Sequence, residues 1–328
     1  MTTDRPWFPV LLLAMLAIAP AAQGAQPLKD YPSRPIRMIM PNAPGSANDT
    51  MGRILAARLG EALGEQVVVD NRPGAGGIVG MEIGKNANPD GYTLIAPSTA
   101  ATSIAPHIHR KLPYDPVRDY EFVSLFAVMP NILVENPALP PKTVREFIDY
   151  AKMMGTKLNM ASAGTGAQSH LSGTAFMIAA GFQSLHVPYK GGGASVASVV
   201  AGETQWTFTP AAAVMALVRG GRLRALGHSL PKRTPLLGDM PAIAETLPGF
   251  SYSGWYGVTA PKGTPKPILD QLRNALLKIA ATASFREQVN NQAAEVTTST
   301  AAAFRKFVED DIAQTGKAVK AAGLKAED

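Results

Sequence analysis

The sequence predicts an α/β fold in which strands alternate with helices along most of the chain. Short apolar runs of β-prone residues recur, stretches with helical apolar spacing follow many of them, and glycine- or proline-rich breaks separate the two. Several runs carry apolar residues on both faces, as buried strands of a parallel sheet do. A chain of 328 residues can bury a sizeable core, and this length usually means two domains.

The first strand–loop–helix unit spans residues 36–64. A strand is predicted at 36–40, a loop with two prolines and a glycine at 41–48, and then a helix that Gly64 ends. Asn48 or Asp49 is the predicted cap of this helix. A helix that starts at the carboxyl end of a buried strand directs its N–H groups and positive dipole end outward. The unit therefore indicates either an anion site or an ordinary turn without a ligand.

A second unit repeats this arrangement about a hundred residues later. Residues 158–161 form a predicted strand, 162–168 a loop of small residues, and Gln168 or Ser169 opens a helix that ends at Gly181. Two such units can face each other across a cleft. Each would then offer backbone N–H groups to one end of a small anion, which favours the anion-site interpretation.

The remaining elements follow from the same signals. Ser98 comes after the strand at 92–96, at the strand end where ligands of open α/β sheets bind. The strand at 252–258 is expected to cross between domains. Further strands are predicted at 66–69, 92–96, 122–129, 132–134, 185–187, 206–209, 223–227 and 252–258, and further helices at 78–86, from 143, at 194–202, 214–218, 241–246 and 267–280, and from about 299.

The first 24 residues are predicted to be a signal peptide. An apolar core at 10–18 is too short to span a membrane, and Ala22, Gln23 and Gly24 resemble a cleavage site. Because the single arginine before this core is offset by an aspartate, an uncleaved anchor is the alternative. We therefore expect an exported, periplasmic protein.

Composition excludes several classes of function. The chain has no cysteine, which rules out disulfides, iron–sulfur ligation and thiolate zinc sites. The net charge of +6 is scattered and few aromatic residues accompany the basic ones, so nucleic-acid binding is not expected and anionic partners are favoured.

Rival chemistries were weighed for the remaining polar residues. His107 and His109 have the spacing of metal ligands on a strand, but no third ligand lies nearby, so a solvated loop is preferred and no metal or cofactor is expected. Ser162 and His170 could be a nucleophile and base, yet no strained G-x-S-x-G elbow accompanies them. Asp49 is interpreted as a helix cap that orders the first loop rather than a catalytic acid.

Seven stretches, taken together, resemble the Bug family, the extracytoplasmic receptors of tripartite tricarboxylate transporters in Gram-negative bacteria. One of them is His186-Val187-Pro188-Tyr189-Lys190-Gly191. They run through nearly the whole mature chain in the family's order, at 31–37, 43–45 with Asp49, 67–77, 89–94, 112–116, 186–191, and 255–257 with 260–261.

The resemblance implies a two-lobed periplasmic binding protein of the Venus-flytrap, type II-like kind, with a mixed, mainly parallel sheet in each lobe. Lobe one would take residues 30–128 and 253–328, lobe two residues 129–252, and the crossings near Met129 and Gly254 would act as a hinge. The implied function is capture of a small carboxylate and its delivery to membrane transporter subunits, without catalysis. An exported hydrolase on the same scaffold is the alternative, and a monomer is expected.

The resemblance also implies where the ligand lies, because family members hold carboxylates by main-chain N–H groups and ordered water in the cleft. Lys190 could be a cleft cation or an exposed turn residue. The expected ligand-binding residues are Asn42, Ala43, Gly45, Ser46, Asp49, Ser98, Ser162, Gly164, Thr165, Gly166, Ala167, Tyr189, Lys190 and Thr209.

Four residues depart from the family pattern. Asn42 replaces a common aromatic residue and Ser46 a second glycine, while Ala105 and Ala167 stand where asparagine and serine are usual. With Asn42, Ser46 and Thr165 in the loops, the cleft is expected to be polar. A small aliphatic carboxylate with two or more polar ends is therefore favoured over benzoate-like ligands; in the alternative, Asn42 points to solvent and says nothing about the ligand.

Overall fold

A computed structural model describes residues 1, 2 and 31–326, so the predicted signal peptide lies almost entirely outside the described residues. No helix within these residues is both long and apolar enough to cross a membrane.

Strands and helices alternate as predicted. The strands are β1 Ile36–Met40, β2 Val67–Asn71, β3 Thr93–Ile95, β4 Tyr120–Met129, β5 Asn131–Glu135, β6 Asn159–Ser162, β7 Leu185–Pro188, β8 Trp206–Pro210, β9 Arg224–His228, β10 Gly254–Pro261 and β11 Glu295–Val296. The α-helices are α1 Ala47–Leu63, α2 Ile78–Lys85, α3 Ala105–Ile108, α4 Val144–Met154, α5 Gln168–Ala180, α6 Gly192–Ala201, α7 Ala211–Arg219, α8 Lys266–Ala281, α9 Ala283–Asn290 and α10 Ala301–Ala321. Tighter 3₁₀ turns lie at Ala75–Gly77, Gly155–Lys157, Pro235–Leu237 and Ile243–Glu245, and a π-helical turn lies at Ala100–Ile104.

The strands form two separate mixed sheets, which confirms the predicted two-lobed α/β fold. The first sheet has the order β11-β4-β10-β3-β1-β2 and the second the order β7-β6-β8-β5-β9. The strands β1, β2 and β3 are parallel, as are β6, β7 and β8, whereas every pair that involves β4, β5 or β10 is antiparallel. Parallel pairs therefore do not outnumber antiparallel ones, because β4, β5 and β10, which lie next to the connection between the sheets, run opposite to the strands that they pair with.

Each sheet has its own hydrophobic core. The first core packs α1 and α8 on the sheet through residues such as Leu55, Phe126 and Leu276. The second is rich in aromatic side chains, with Phe147, Phe176, Trp206 and Phe208 among its members. Ala318 and Val319, from the last turns of α10, also belong to the second core, so this helix spans both sheets.

The connection between the sheets is short and hydrogen-bonded. Only Pro130 separates β4 from β5, and Met129 pairs with Gly254 at the start of β10. Asn131 Nδ2 donates to the Tyr252 carbonyl at 2.8 Å, and Ser229 Oγ hydrogen-bonds with Ser253 Oγ at 2.6 Å. The predicted lobe boundaries at residues 128/129 and 252/253 fall in this segment and stay a prediction.

Candidate ligand-binding cleft

Three helix N-termini surround one cavity between the two sheets. Ala47 opens α1, Gln168 opens α5, and Ala212 and Ala213 lie in the first turn of α7. All four line a cavity of about 380 Å³, together with Met129, Pro210, Gly254 and Tyr256. The two strand–loop–helix units identified in the sequence therefore do meet at one cavity, and α7 joins them.

Ser46 caps α1, so the prediction that Asn48 or Asp49 is the cap was wrong. The hydroxyl of Ser46 accepts from the Asp49 N–H at 3.2 Å, and the helix begins at the next residue, Ala47. The prediction that Asp49 orders the first loop was correct, because its carboxylate accepts from the Gly45 N–H at 2.8 Å.

The carboxylate of Asp49 is buried and densely hydrogen-bonded. Besides the Gly45 N–H, it accepts from Arg53 Nε at 3.0 Å and from Asn71 Nδ2 at 2.8 Å. Burial alone would raise the pKa of Asp49, but these hydrogen bonds and the Arg53 charge hold it below its ordinary value. Asp49 is therefore an ionised clamp on the first loop.

The amide of Asn42 is also engaged within the loop. The side-chain Oδ1 of Asn42 accepts from Asn48 Nδ2 at 2.9 Å, and the backbone carbonyl of Asn42 accepts from Asn71 Nδ2 at 3.0 Å. The same Asn48 nitrogen donates to the Ala96 carbonyl at 3.1 Å. Asn42 thus joins the first loop to the ends of β2 and β3.

Most N–H groups of the second loop are hydrogen-bonded within the protein. Ala163 N–H donates to Ser169 Oγ, Gly164 N–H to Ser162 Oγ, and Gly166 N–H to His170 Nδ1, at 2.9, 3.2 and 3.1 Å. The N-cap of α5 is Ala167, which has no side chain to cap it. Among the described residues nothing accepts from the first-turn N–H groups of α5, so these, rather than the loop glycines, are available to an anion.

The N-terminus of α7 is uncapped in the same way. Its N-cap is Pro210, and the Ala211 N–H donates to the Pro130 carbonyl at 2.9 Å. For the N–H groups of Ala212 and Ala213 the described part of the chain offers no acceptor. Gln168 completes this side of the cavity, because a Cβ at Gly254 would lie 3.1 Å from its Nε2, which places the amide over the start of β10.

Ser162 forms its hydrogen bond with a different histidine from the one considered in the sequence. Its Oγ lies 2.6 Å from His186 Nε2, and the His170 ring stacks on the His186 ring at 3.7 Å. Burial and then the neighbouring His186 lower the pKa of His170 to about 4, and burial also lowers that of His186. The cluster ties β6, β7 and α5 together as neutral groups.

The other predicted site residues lie around the cavity rather than in its lining. Ser98 is buried and accepts from the Ala101 N–H at 3.3 Å, while Tyr189 N–H donates to the Ser162 carbonyl at 2.9 Å. Ala43, Thr165 and Lys190 are exposed. Three predicted residues each directly precede a lining residue, namely Ser46, Ala167 and Thr209.

Sequence reasoning missed the start of α7 and the floor of the cavity. Residues 210–213 are a proline followed by three alanines, and Pro210 marks a helix start, but alanines give no apolar period from which to place it. Met129 was expected at the hinge and Tyr256 in a strand, and neither was expected to face the ligand.

Of the two histidines considered as metal ligands, His107 has a structural contact instead. His107 lies in α3, and its Nε2 is 2.7 Å from the Ile312 carbonyl. In residues 31–326 no three histidine or acidic side chains are grouped so that they could hold a metal ion.

A cleft between two α/β lobes, approached by helix N-termini, is typical of solute-binding proteins. The chain belongs to the tripartite tricarboxylate transporter receptor family, because the model described as "Tripartite tricarboxylate transporter family receptor" matches residues 51–324. It is 36% identical over 274 residues to a "UPF0065 protein in tcbD-tcbE intergenic region" of Pseudomonas sp. strain P51, covering 83% of this chain and 81% of that protein. It is 33% identical over 319 residues to BugT of Bordetella pertussis, covering 96% and 98% of the two chains.

Solved structures agree with this assignment. Rpa4515 of R. palustris with adipate has a TM-score of 0.74 and 30% identity, covering 91% of this chain and 100% of that one. MatC of Rhodopseudomonas palustris with bound malate has a TM-score of 0.69 and 28% identity, covering 88% and 100%. The resemblance to the Bug family is thereby confirmed, and the family is one of receptors rather than enzymes.

Proposed function

We propose that this protein is a periplasmic receptor that captures a small carboxylate between its lobes and delivers it to a tripartite tricarboxylate-type membrane transporter. The observation that carries the proposal is the meeting of three helix N-termini, two of them uncapped, at one cavity. Their N–H groups and positive dipole ends can hold a carboxylate without a basic side chain. The adipate and malate bound to two relatives support a ligand of this kind.

Delivery to a transporter rests on family membership. The exported location rests on the predicted signal peptide at residues 1–24 and on the family. Lobe one would be residues 30–128 with 253–328, and lobe two residues 129–252. The lobes would close over the ligand by a hinge at the two chain crossings near Met129 and Gly254. We expect a monomer in solution.

The proposal is tested by a charge placed at the start of α7. Ala213→Asp puts a carboxylate into the cavity lining, where it should repel an anionic ligand and weaken binding about tenfold or more. An aspartate in the first turn suits the helix dipole, so folding should be preserved. Thermal shift with succinate, adipate, malate and benzoate finds a ligand, since binding to the folded state raises the melting temperature, and calorimetry then compares affinities.

Ala216→Asp is the matched control. Ala216 is an exposed alanine of the same helix, but it does not line the cavity, so this variant should bind as the wild type does. Equal affinity for wild type and Ala213→Asp would show that the ligand lies elsewhere.

A further inference from the structure

The floor of the interlobe cavity is apolar. Met129 and Tyr256 are 4% and 7% exposed, and the Tyr256 hydroxyl is directed to Met129 Sδ at 3.7 Å. Pro210 and three alanines, Ala47, Ala212 and Ala213, also line the cavity. Gln168 supplies the one side-chain amide among the described lining residues.

The polar side chains that were expected to face the ligand are already hydrogen-bonded inside the protein. Asn42 Oδ1 is occupied by Asn48, the Ser46 hydroxyl caps α1, and the Ser162 hydroxyl is held by His186. Thr165 lies outside the lining on an exposed part of the second loop. None of these four residues is in the lining of the cavity, so the polar groups on which the expectation of a more polar cleft was based do not line it.

Apart from the Gln168 amide and the Tyr256 hydroxyl, the polar groups that remain around the cavity are hydrogen-bond donors at helix ends. First-turn N–H groups of α5 and α7 have no acceptor among the described residues, and no lysine or arginine of this part of the chain lines the cavity. Backbone donors of this kind match carboxylate oxygens. They do not match hydroxyl groups along the body of a ligand, which would also need acceptors.

On the basis of the proposed function, we infer that the ligand is a carboxylate with an unhydroxylated alkyl or aromatic body. The carboxylate end contacts the helix N-termini, and the body lies on Met129, Tyr256 and the alanine methyl groups. The cavity volume of about 380 Å³ is near the lower limit for ligand-binding pockets, which suits a small carboxylic acid. Gln168 Oε1 is the one side-chain amide oxygen in the described lining, so a body hydroxyl that does not reach it would be buried without that acceptor and would weaken binding about five- to a hundredfold.

Calorimetric titration with acids that differ only in hydroxylation tests the inference. Succinate, malate and tartrate carry zero, one and two hydroxyls, and adipate and galactarate make a second, longer pair. We expect affinity to fall from succinate to malate to tartrate, and from adipate to galactarate. Equal affinities, or tightest binding by tartrate or galactarate, would overturn the inference and leave the receptor function standing. If no acid, benzoate included, binds, the receptor proposal fails as well.

A polarity swap provides the reciprocal test. Ala212→Ser with Ala213→Ser adds two hydroxyls to the wall and should narrow the preference for succinate over tartrate, since the ligand hydroxyls gain partners. Ala216→Ser, on the same helix outside the lining, is the control and should leave the ratio of the two affinities unchanged. An unchanged ratio in the double variant would show that the alanine wall does not select the ligand.

Discussion

At the scale of single residues, the polar groups of the two loops hold the loops in shape. Asp49 fixes the first loop through Gly45, and His170 fixes the second through Gly166. The role of Asp49 could be predicted from its position at the start of a helix. The role of His170 could not be predicted. This residue lies in α5, its stacking partner His186 lies in β7, and no local sequence pattern connects the two.

The neutral state of His170 makes the stability of the protein depend on pH. The pKa of His170 is about 4 in the folded protein, against 6.5 in the unfolded chain, so the unfolded chain binds more protons between these values. The free energy of unfolding contributed by this residue should therefore fall as pH decreases from 6.5 to 4, by about 2–3 kcal/mol.

Urea unfolding at pH 5 and pH 7 of the wild type and of His170→Gln measures this effect, since glutamine keeps an acceptor for the Gly166 N–H. The quantity to compare is the difference in the free energy of unfolding between wild type and His170→Gln, because Glu135 changes the stability of both proteins with pH in the opposite direction. Burial raises the pKa of Glu135 to about 7, so its contribution falls as pH increases from 4.5 to 7. A difference that is the same at both pH values would contradict the role assigned to His170.

At the scale of elements, apolar periodicity located most strands and helices, and the ends of helices were less predictable. The predicted helix at 214–218 is α7, which begins three residues earlier, and two of those three residues, Ala212 and Ala213, line the cavity. The short helices α3 and α9 were not predicted, since neither has a long apolar period. The glycine-rich loops correctly marked where two of the three N-termini lie.

The uncapped start of α5 can be tested by adding a cap. Ala167 has the extended backbone of an N-cap, with φ −65° and ψ 158°, so Ala167→Ser should let a hydroxyl accept from a first-turn N–H. We expect the free energy of unfolding to rise by about 0.5–1 kcal/mol in urea denaturation. Ala179→Ser, at an exposed position near the end of the same helix, should lower it slightly. If Ala167→Ser does not raise the free energy of unfolding above that of the wild type, the first turn of α5 is not short of acceptors.

At the scale of the whole molecule, the two sheets are joined through Pro130 and the Tyr252–Gly254 segment. The two-lobed architecture was predictable only through the resemblance to a family, because strand order depends on contacts between residues far apart in the chain. The bridge made by α10 was not predicted: Phe304 and Val308 pack against the first sheet, and Ala318 and Val319 pack in the second core. If the lobes close as proposed, we expect this helix to bend or slide.

Closure should be measurable by small-angle X-ray scattering. A saturating carboxylate found in the thermal-shift screen should reduce the radius of gyration, because bound ligand holds both lobes through helix N-termini. At a ligand concentration near the wild-type Kd, the Ala213→Asp variant should show a smaller decrease in the radius than the wild type, because less of it is bound. An unchanged radius in the wild type with confirmed binding would contradict closure.

The position of Gly254 beside Met129 has a consequence for the order in which the molecule assembles. Every strand of the second sheet lies between residues 131 and 228, whereas the first sheet needs β10, from residues 254–261, between β3 and β4. As the chain emerges from its N-terminus, the strands of the second sheet can pair while the first sheet still lacks its middle strand. The second sheet, which comes from the middle of the chain, would thus be the first sheet to be complete. The N-terminal strands β1, β2 and β3 would complete their sheet only after β10 is made.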